Sequence, residues 1–227
     1  MSSRTQALLN TINEIRVQKT QAQLSAMSAK INPHFLYNQL DAINWIAIRN
    51  EDTEVSKALH SLARFYRASL AEGREIVTIG QELMHLNNYI ELTKMRTKDA
   101  VVYTIHCDEP LKDYLICSMV LQPLMENAIM HGIMEKEDPR GTVILNVSES
   151  ETELYITIID DGVGIPDDEL LQLNEGIRIS KSQSGYGAYN VTQRIRIYFG
   201  AQYGLRYRVD GGRTIAEINL PKRLEEA

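Results

Sequence analysis

The spacing of apolar residues changes twice along the chain. Residues 4 to 30 are rich in Gln, Ser, Ala and Lys and hold no Gly or Pro. Leu8, Ile12 and Ile15 share one helical face, and Val17, Leu24 and Ile31 sit seven apart on a shifted one. This predicts a helix over 1–30, read either as a coiled coil with a phase change or as a plain amphipathic helix. From Pro33 the helical period strengthens, with Leu36, Leu40, Ile43 and Ala47 in register. The polar run Arg49–Glu54 breaks it, and a second helix follows with Val55, Leu59, Leu62, Tyr66 and Leu70 on one side. Two helices joined by a short polar turn make an antiparallel hairpin over 31–77. Such a hairpin cannot bury its apolar stripe alone, and a homodimeric four-helix bundle covers it.

Residues 71–82 read as a linker, and Leu83, Leu86 and Ile90 begin another helix. After residue 100 the period falls to two. The segments VVYTIHC, TVILNVS, ELYITIID, LRYRVD and TIAEINL are β-branched and alternating, as strands are. CSMVLQPLMENAIMHGI and NVTQRIRIYF lie among them with helical spacing. The fold class is therefore α+β: a helical front end followed, over 78–227, by a domain of mixed helix and sheet.

Composition narrows the function. The chain has 227 residues, 44% of them hydrophobic and 24% charged, as in soluble globular proteins. Its 24 basic and 30 acidic residues leave a net charge of -6, which argues against general nucleic-acid binding. Cys107 and Cys117 form no metal spacing and no disulfide framework, which fits a reducing cytoplasm. No apolar run approaches the ~18 residues of a membrane span, and no signal-peptide pattern opens the chain. Met1-Ser2-Ser3 leads straight into helix-like sequence, so the chain is expected to be the cytoplasmic part of something longer.

Three segments and one histidine carry candidate chemistry. In IIDDGVGIP (Ile158–Pro166) an apolar strand ends in Asp160 and Asp161, then Gly162 and Gly164. A carboxylate at a strand end accepts a hydrogen bond from a ligand amino group, and glycines let a flat ligand approach; alone, the pattern also suits a simple turn. SGYGAYNV (Ser184–Val191) places Gly185 and Gly187 before a helix starting near Asn190, which suits phosphates at a helix N-terminus or a flexible loop. In LQPLMENAIMHG (Leu121–Gly132), Asn127 and His131 lie one turn apart on one side, and Glu126 adjoins Asn127. An amide oxygen with phosphate oxygens and waters suits Mg²⁺; polar residues on a core helix are the plainer reading. His34, in INPHFLYNQLDAINW, follows a proline and has Asn38 one turn on; by itself it suits a core, capping or reactive role.

The order of the three segments is more specific than any one. It resembles the N, G1 and G2 boxes of the ATP-binding fold shared by gyrase, Hsp90, histidine kinases and MutL, the GHKL superfamily. Residues 167–184, polar and rich in Ser and Lys, match that family's mobile lid. NPHFLYN, LQPLMENAIMHG and GYGAYNVTQR further resemble LytS/YesM-type sensor histidine kinases of bacterial two-component systems, from about residue 28 to the end.

The resemblance implies a GHKL α/β sandwich over 78–227 and a dimerisation and phosphotransfer hairpin before it. It implies that His34 is the phosphoacceptor and that ATP and Mg²⁺ are the cofactors. Asp160 would bind the adenine amino group in a pocket shaped by Gly162 and Gly164, and Asn127 would hold Mg²⁺. Gly185 and Gly187 would form the lid hinge at the phosphates, and Asn190 would close the last motif. His131 would contact phosphate or orient the Mg²⁺ helix. The implied partners are a second copy of the chain and a response-regulator aspartate. An upstream membrane domain would signal through the helix at 1–30, in a parent protein anchored in the inner membrane.

A neutral imidazole is a competent nucleophile near pH 7 when its nitrogen is reachable, which agrees with that role for His34. No acid adjoins His34, so Glu126 is the candidate base; Asn38 would orient a water for dephosphorylating the partner or brace its helix. His60, His85 and His106 lack such a context and read as surface or packing residues. The chain departs from the family in several places. Asp161 stands where Asn is common, putting extra negative charge near the nucleotide. Met130 stands where Lys is frequent, so one phosphate partner is either missing or replaced by Lys181 or Arg194. Ala188 stands where Leu is usual, with Tyr186 available to compensate, and Thr97 stands where an aromatic is often found. Two rivals follow: an inert nucleotide-binding module, and an ATPase that uses Glu126 to activate water.

Overall fold

In the computed structural model the chain divides into two compact units, residues 1–67 and 68–227. The structure describes residues 33–53, 55, 56, 58, 59, 62, 75–175 and 183–225. The helix expected over 1–30, Tyr66 and Leu70 of the hairpin, His60, and Lys181 of the expected lid lie outside the described residues.

In the first unit, α1 (Pro33–Arg49) opens on Pro33, whose fixed φ suits the first helical position. Leu40 and Ala47 are buried, as their spacing predicts, but Ile43 is 48% exposed and Trp45 71% exposed. The polar turn forms where the charge run lies. Asp52 N–H donates to Ala47 O at 3.0 Å, and Glu51 takes a left-handed φ of 56°. Asp52 Oδ1 then accepts from Val55 N at 3.1 Å, a side-chain cap for the helical positions described between 53 and 62. Ser56 Oγ donates to Asn44 Oδ1 at 2.8 Å and ties the returning leg to α1.

The second unit is a helix-on-sheet sandwich. Its elements run β1 (Ile76–Thr78), α2 (Ile79–Thr97), β2 (Val101–His106), a 3₁₀ turn (Glu109–Asp113), β3 (Leu115–Cys117), α3 (Leu121–Asn127) and a π turn (Ala128–Ile133). They continue through β4 (Gly141–Glu149), β5 (Glu153–Asp160), α4 (Asp167–Asn174), α5 (Gln183–Phe199), β6 (Gly204–Asp210) and β7 (Arg213–Pro221). Five strands form one sheet in the order β2-β4-β5-β7-β6. β2 runs parallel to β4, and the other neighbours are antiparallel. Alternation turns Val143, Leu145, Leu154, Ile156, Ile158, Ile218 and Leu220 inward. There they are buried with Leu83, Leu86 and Ile90 of α2, Leu121, Leu124 and Met125 of α3, and Val191 and Ile195 of α5.

Four segments depart from the sequence expectation. Residues 76–82, expected within a linker over 71–82, form β1 and the start of α2. β1 is β-branched and pairs antiparallel with β3, Ile76 opposite Cys117. Thr78 then caps α2: its Oγ1 accepts from Gln81 N at 3.2 Å, and Gln81 Oε1 accepts from Thr78 N at 3.0 Å. The segment expected as one helix from Cys117 begins as β3, and its helix starts at Leu121. Residues 167–174, expected within a mobile lid, form α4, whose acidic first turn suits the helix dipole. Finally, α5 begins at Gln183, so Gly185 and Gly187 lie inside the helix rather than ahead of it. Gly187 there faces Pro123, 3.5 Å from where its Cβ would stand, and Ala188 is buried. Small residues let α5 come close to α3.

Candidate functional site

Strand alternation delivers the central group. In β5 the inward positions are Leu154, Ile156, Ile158 and then Asp160, so the strand ends with a carboxylate between sheet and helices. Asp160 is 4% exposed. Its Oδ1 accepts from Gly162 N at 3.0 Å. Burial pushes its pKa up to about 6, with the Gly162 bond opposing the rise and the Asp161 charge adding to it.

Two glycines make this arrangement possible. A Cβ on Gly132 would stand 2.6 Å from Asp160 Oδ1, and a Cβ on Gly162 would run into the Gly132 backbone. Val163 N–H donates to Gly132 O at 3.0 Å, which stitches the loop after β5 to the π turn that follows α3. Glycine at both positions is thus a requirement of close approach.

These groups lie on a cleft of about 670 Å³. Ile158, Ala216, Leu124, Ala128 and Tyr207 give it apolar surface, while Asn127, His131, Glu135, Asp160 and Thr214 give it polar surface. Val163, Gly164, Pro166, Glu169 and Leu173 line it from the loop after β5 and from α4. The π turn carries one wall: Met134 N–H donates to Ile129 O, five residues back, at 2.8 Å. Such turns insert a residue into a helix and occur often at functional sites. Burial pushes the Tyr207 hydroxyl up to about 12, with the Asn127 side chain opposing the rise. His131 is exposed, with Nδ1 at 3.1 Å from Glu135 Oε1.

Of the residues singled out in the sequence, Asn127, His131, Asp160 and Gly164 meet on this cleft, and Gly162 braces its floor. Others do not line it. Glu126 is exposed, because one residue of helical rotation from Asn127 turns it away; its charge acts on Tyr89. Asn190 is exposed and Gly187 packs toward Pro123; both fall within α5, which starts earlier than expected. Arg194 acts on buried Cys117 and is also off the cleft. Asp161 is off the cleft lining. Alternation sends it to the opposite side, where its Oδ1 accepts from Thr142 N at 2.9 Å and lies 3.9 Å from Lys136 Nζ. At Met130 the sulfur accepts from Arg96 Nη2 at 2.9 Å, a cation that the motif does not contain. His34 and Asn38 lie on the first turns of α1 in the other unit.

The sequence reading missed Tyr207, Thr214, Asn174 and Glu82. Tyr207 belongs to an alternating strand, which sets its face but not its neighbours. Glu82 is 1% exposed on α2. It accepts from Met119 N at 2.8 Å, Val120 N at 2.9 Å and Leu121 N at 3.0 Å. Burial raises its pKa, and these bonds oppose the rise.

The arrangement suits a flat, amino-bearing ring set against Asp160. Among the described residues no trio of His, Cys, Asp or Glu could hold a metal. The Asn127 oxygen instead suits a hard cation that takes most of its shell from phosphates and water. No helix among the described residues is long and apolar enough to cross a membrane.

Comparison with known proteins agrees with this geometry. Residues 22–101 match the histidine kinase family, and residues 112–224 match the histidine kinase-, DNA gyrase B-, and HSP90-like ATPase family. The chain is 32% identical to sensor histidine kinase YesM of Bacillus subtilis (strain 168), over 96% of this chain and 37% of that protein. It is 30% identical to sensor protein LytS of Bacillus anthracis, over 90% of this chain and 35% of LytS. It is 31% identical to sensor histidine kinase YpdA of Escherichia coli (strain K12), over 93% of this chain and 36% of YpdA. It therefore spans little more than a third of these relatives. The fold is that of the catalytic domain of histidine kinase ThkA, with a TM-score of 0.51 over 66% of this chain and 99% of that one, at 14% identity. With a helical region ahead of an ATPase-type α/β sandwich, the chain belongs to the sensor histidine kinase family.

Proposed function

We propose that the 68–227 unit binds Mg-ATP in its cleft and passes the γ-phosphoryl group to His34, from which it moves to an aspartate of a response regulator. The observation that carries this reading is Asp160: a buried carboxylate at the foot of a cleft, under a glycine–glycine contact, with Asn127 also on the lining.

Asp160 accepts a hydrogen bond from the adenine amino group, and the Gly132–Gly162 contact keeps space for the ring. Asn127 holds Mg²⁺ through its amide oxygen, and His131 contacts phosphate or steadies the same helix. When bound, the cation neutralises charge on the β- and γ-phosphates. Gly185 and Gly187, early in α5, serve as the hinge of the lid at the phosphates, and Asn190 closes the same motif. In the transfer, the bond from the γ-phosphorus to the bridging oxygen breaks as an imidazole nitrogen of His34 bonds to phosphorus. ADP leaves, and Glu126 accepts the imidazole proton. Asn38 then orients water against the regulator's phosphoaspartate or braces α1. Two copies of the chain pair through their helical hairpins. The chain works in the cytoplasm, below a membrane sensor domain.

The reading is tested by incubating the chain with γ-labelled ATP. Acid-labile label on the protein, lost in His34→Ala, is expected. Free phosphate without labelled protein would mark an ATPase instead, and neither product would mark a binding module.

A further inference from the structure

β6 is an edge strand of the sheet, and an edge strand leaves its outward backbone groups unpaired. At residue 207 the side chain of Asn174, the last residue of α4, takes both groups. Tyr207 N–H donates to Asn174 Oδ1 at 2.7 Å, and Asn174 Nδ2 donates to Tyr207 O at 2.8 Å. The amide stands where the peptide group of a further strand would. It offers a donor and an acceptor side by side, whereas an ionised carboxylate of the same shape only accepts.

Packing alone holds α4 weakly. Its 8 residues are too few for an isolated helix to be stable in water, and none of them is buried. Yet Glu169 and Leu173 of α4 line the cleft, as do Tyr207 and Val209 of β6. The clip between Asn174 and Tyr207 therefore joins two elements of one wall. Strand register places that wall relative to Asp160. Asp160 stands opposite Thr214, and Thr214 opposite Val209, so one row of the sheet runs from the buried carboxylate to β6. Ile158, Ala216 and Tyr207 form the next inward row. The wall thus shares its rows with the carboxylate assigned to the adenine amino group, while Asn127 belongs to α3.

We propose that Asn174 is a positioning residue: by clipping α4 to the backbone of β6 it sets the wall against which the adenosine part of the nucleotide rests. This inference rests on the Mg-ATP reading above. It makes α4, which the sequence suggested was part of a mobile lid, a fixed side of the nucleoside pocket before the nucleotide arrives. With the clip broken, a smaller fraction of the protein holds the wall in place, and affinity falls by that fraction. The response to Mg²⁺, which depends on α3 and the phosphates, stays as it was.

The test uses the full chain and a fluorescent ATP analogue, displaced by adenosine and by ADP, the latter with Mg²⁺ and in EDTA. Asn174 is exposed, so its replacement leaves the core intact. Asn174→Ala is expected to weaken adenosine and ADP by the same factor, about tenfold for two lost hydrogen bonds. The ratio of ADP affinities with and without Mg²⁺ is expected to stay within about twofold of wild type. Asn174→Asp keeps the shape but sets a carboxylate oxygen against Tyr207 O, and at about pH 8, where that acid is ionised, it is expected to lose at least as much. Thermal unfolding confirms that each variant is folded. Wild-type affinity in folded Asn174→Ala overturns the inference. So does wild-type affinity in folded Asn174→Asp, which would mean that the Nδ2 bond holds nothing. A loss for ADP that adenosine does not share overturns it as well, because the wall would then serve the phosphates. Should Asn174→Ala not fold, Asn174→Asp carries the same test; should neither fold, Asn174 supports the whole unit rather than one wall, and the inference fails. A wild-type chain that binds neither the analogue, ADP nor adenosine would remove the Mg-ATP reading itself, an outcome distinct from wild-type binding that the variants share.

Discussion

The carboxylate of Glu82 accepts the backbone N–H of Leu121 at 3.0 Å, across 39 residues of chain. The same oxygen takes Val120 N–H at 2.9 Å, and its partner oxygen takes Met119 N–H at 2.8 Å. Helices leave their first N–H groups without intrahelical partners. Here α2 supplies an acceptor for those of α3, the helix that carries Asn127. Glu82 also places negative charge at the positive end of the α3 dipole.

Removing that carboxylate should therefore destabilise the 68–227 unit. Glu82→Ala leaves buried N–H groups without an acceptor, at a cost of about 1–3 kcal/mol each when water cannot reach them. Glu82→Gln keeps one carbonyl oxygen and should lose less. Urea unfolding checks both. Equal midpoints for wild type and Glu82→Ala would show that water reaches the start of α3 and that the buried carboxylate holds nothing in place.

Asp160 predicts an exchange of stability for binding. Its folded pKa of about 6 stands above the ordinary value of 3.8. The sign follows directly: an acid whose pKa is raised by folding contributes fully below its unfolded pKa and loses that contribution as pH rises through the folded one. The loss accumulates between about pH 4 and pH 6 and totals about 3 kcal/mol, at about 1.36 kcal/mol per unit. Asp160→Asn should thus be more stable than wild type at pH 7 by up to that amount, and equal to it near pH 4. Adenine binding should show the reverse. The affinity of wild type for nucleotide should fall below about pH 6, where the carboxyl takes up a proton, while Asp160→Asn binds weakly at every pH. Denaturant midpoints and nucleotide titrations over pH 4–8 measure both curves.

The parts of this site that could be read in the sequence are local. Asp160, Gly162 and Gly164 fall within five residues, and Asn127 and His131 are four positions apart, so spacing alone groups them. Alternation in β5 separates Asp160 from Asp161, and it was adjacency, read without that alternation, that placed both beside the nucleotide. Contacts between distant segments were not legible. Pairing of β1 with β3 rests on strands of three residues each, too short for a period to register. The start of α5 was misplaced because Gly185 and Gly187 read as loop residues, whereas packing on Pro123 makes small residues useful inside the helix. Tyr207 and Glu82 each showed which way they face, but the chain order did not show what lies opposite.

Glu126 offers the sharpest separation of binding from chemistry. It adjoins Asn127 in sequence, yet it is exposed and absent from the cleft lining. A group placed there reaches an acceptor arriving from outside the cleft more readily than a water held within it. Glu126→Gln removes the basic oxygen and keeps the shape. Nucleotide affinity should stay within about twofold of wild type, and labelling of His34 should slow by about 10²–10⁴, the usual contribution of a positioned base. Rapid-mixing labelling at saturating Mg-ATP separates this from a loss of binding. A wild-type rate in Glu126→Gln would mean that the imidazole releases its proton directly to solvent, leaving the protein to supply position and charge alone.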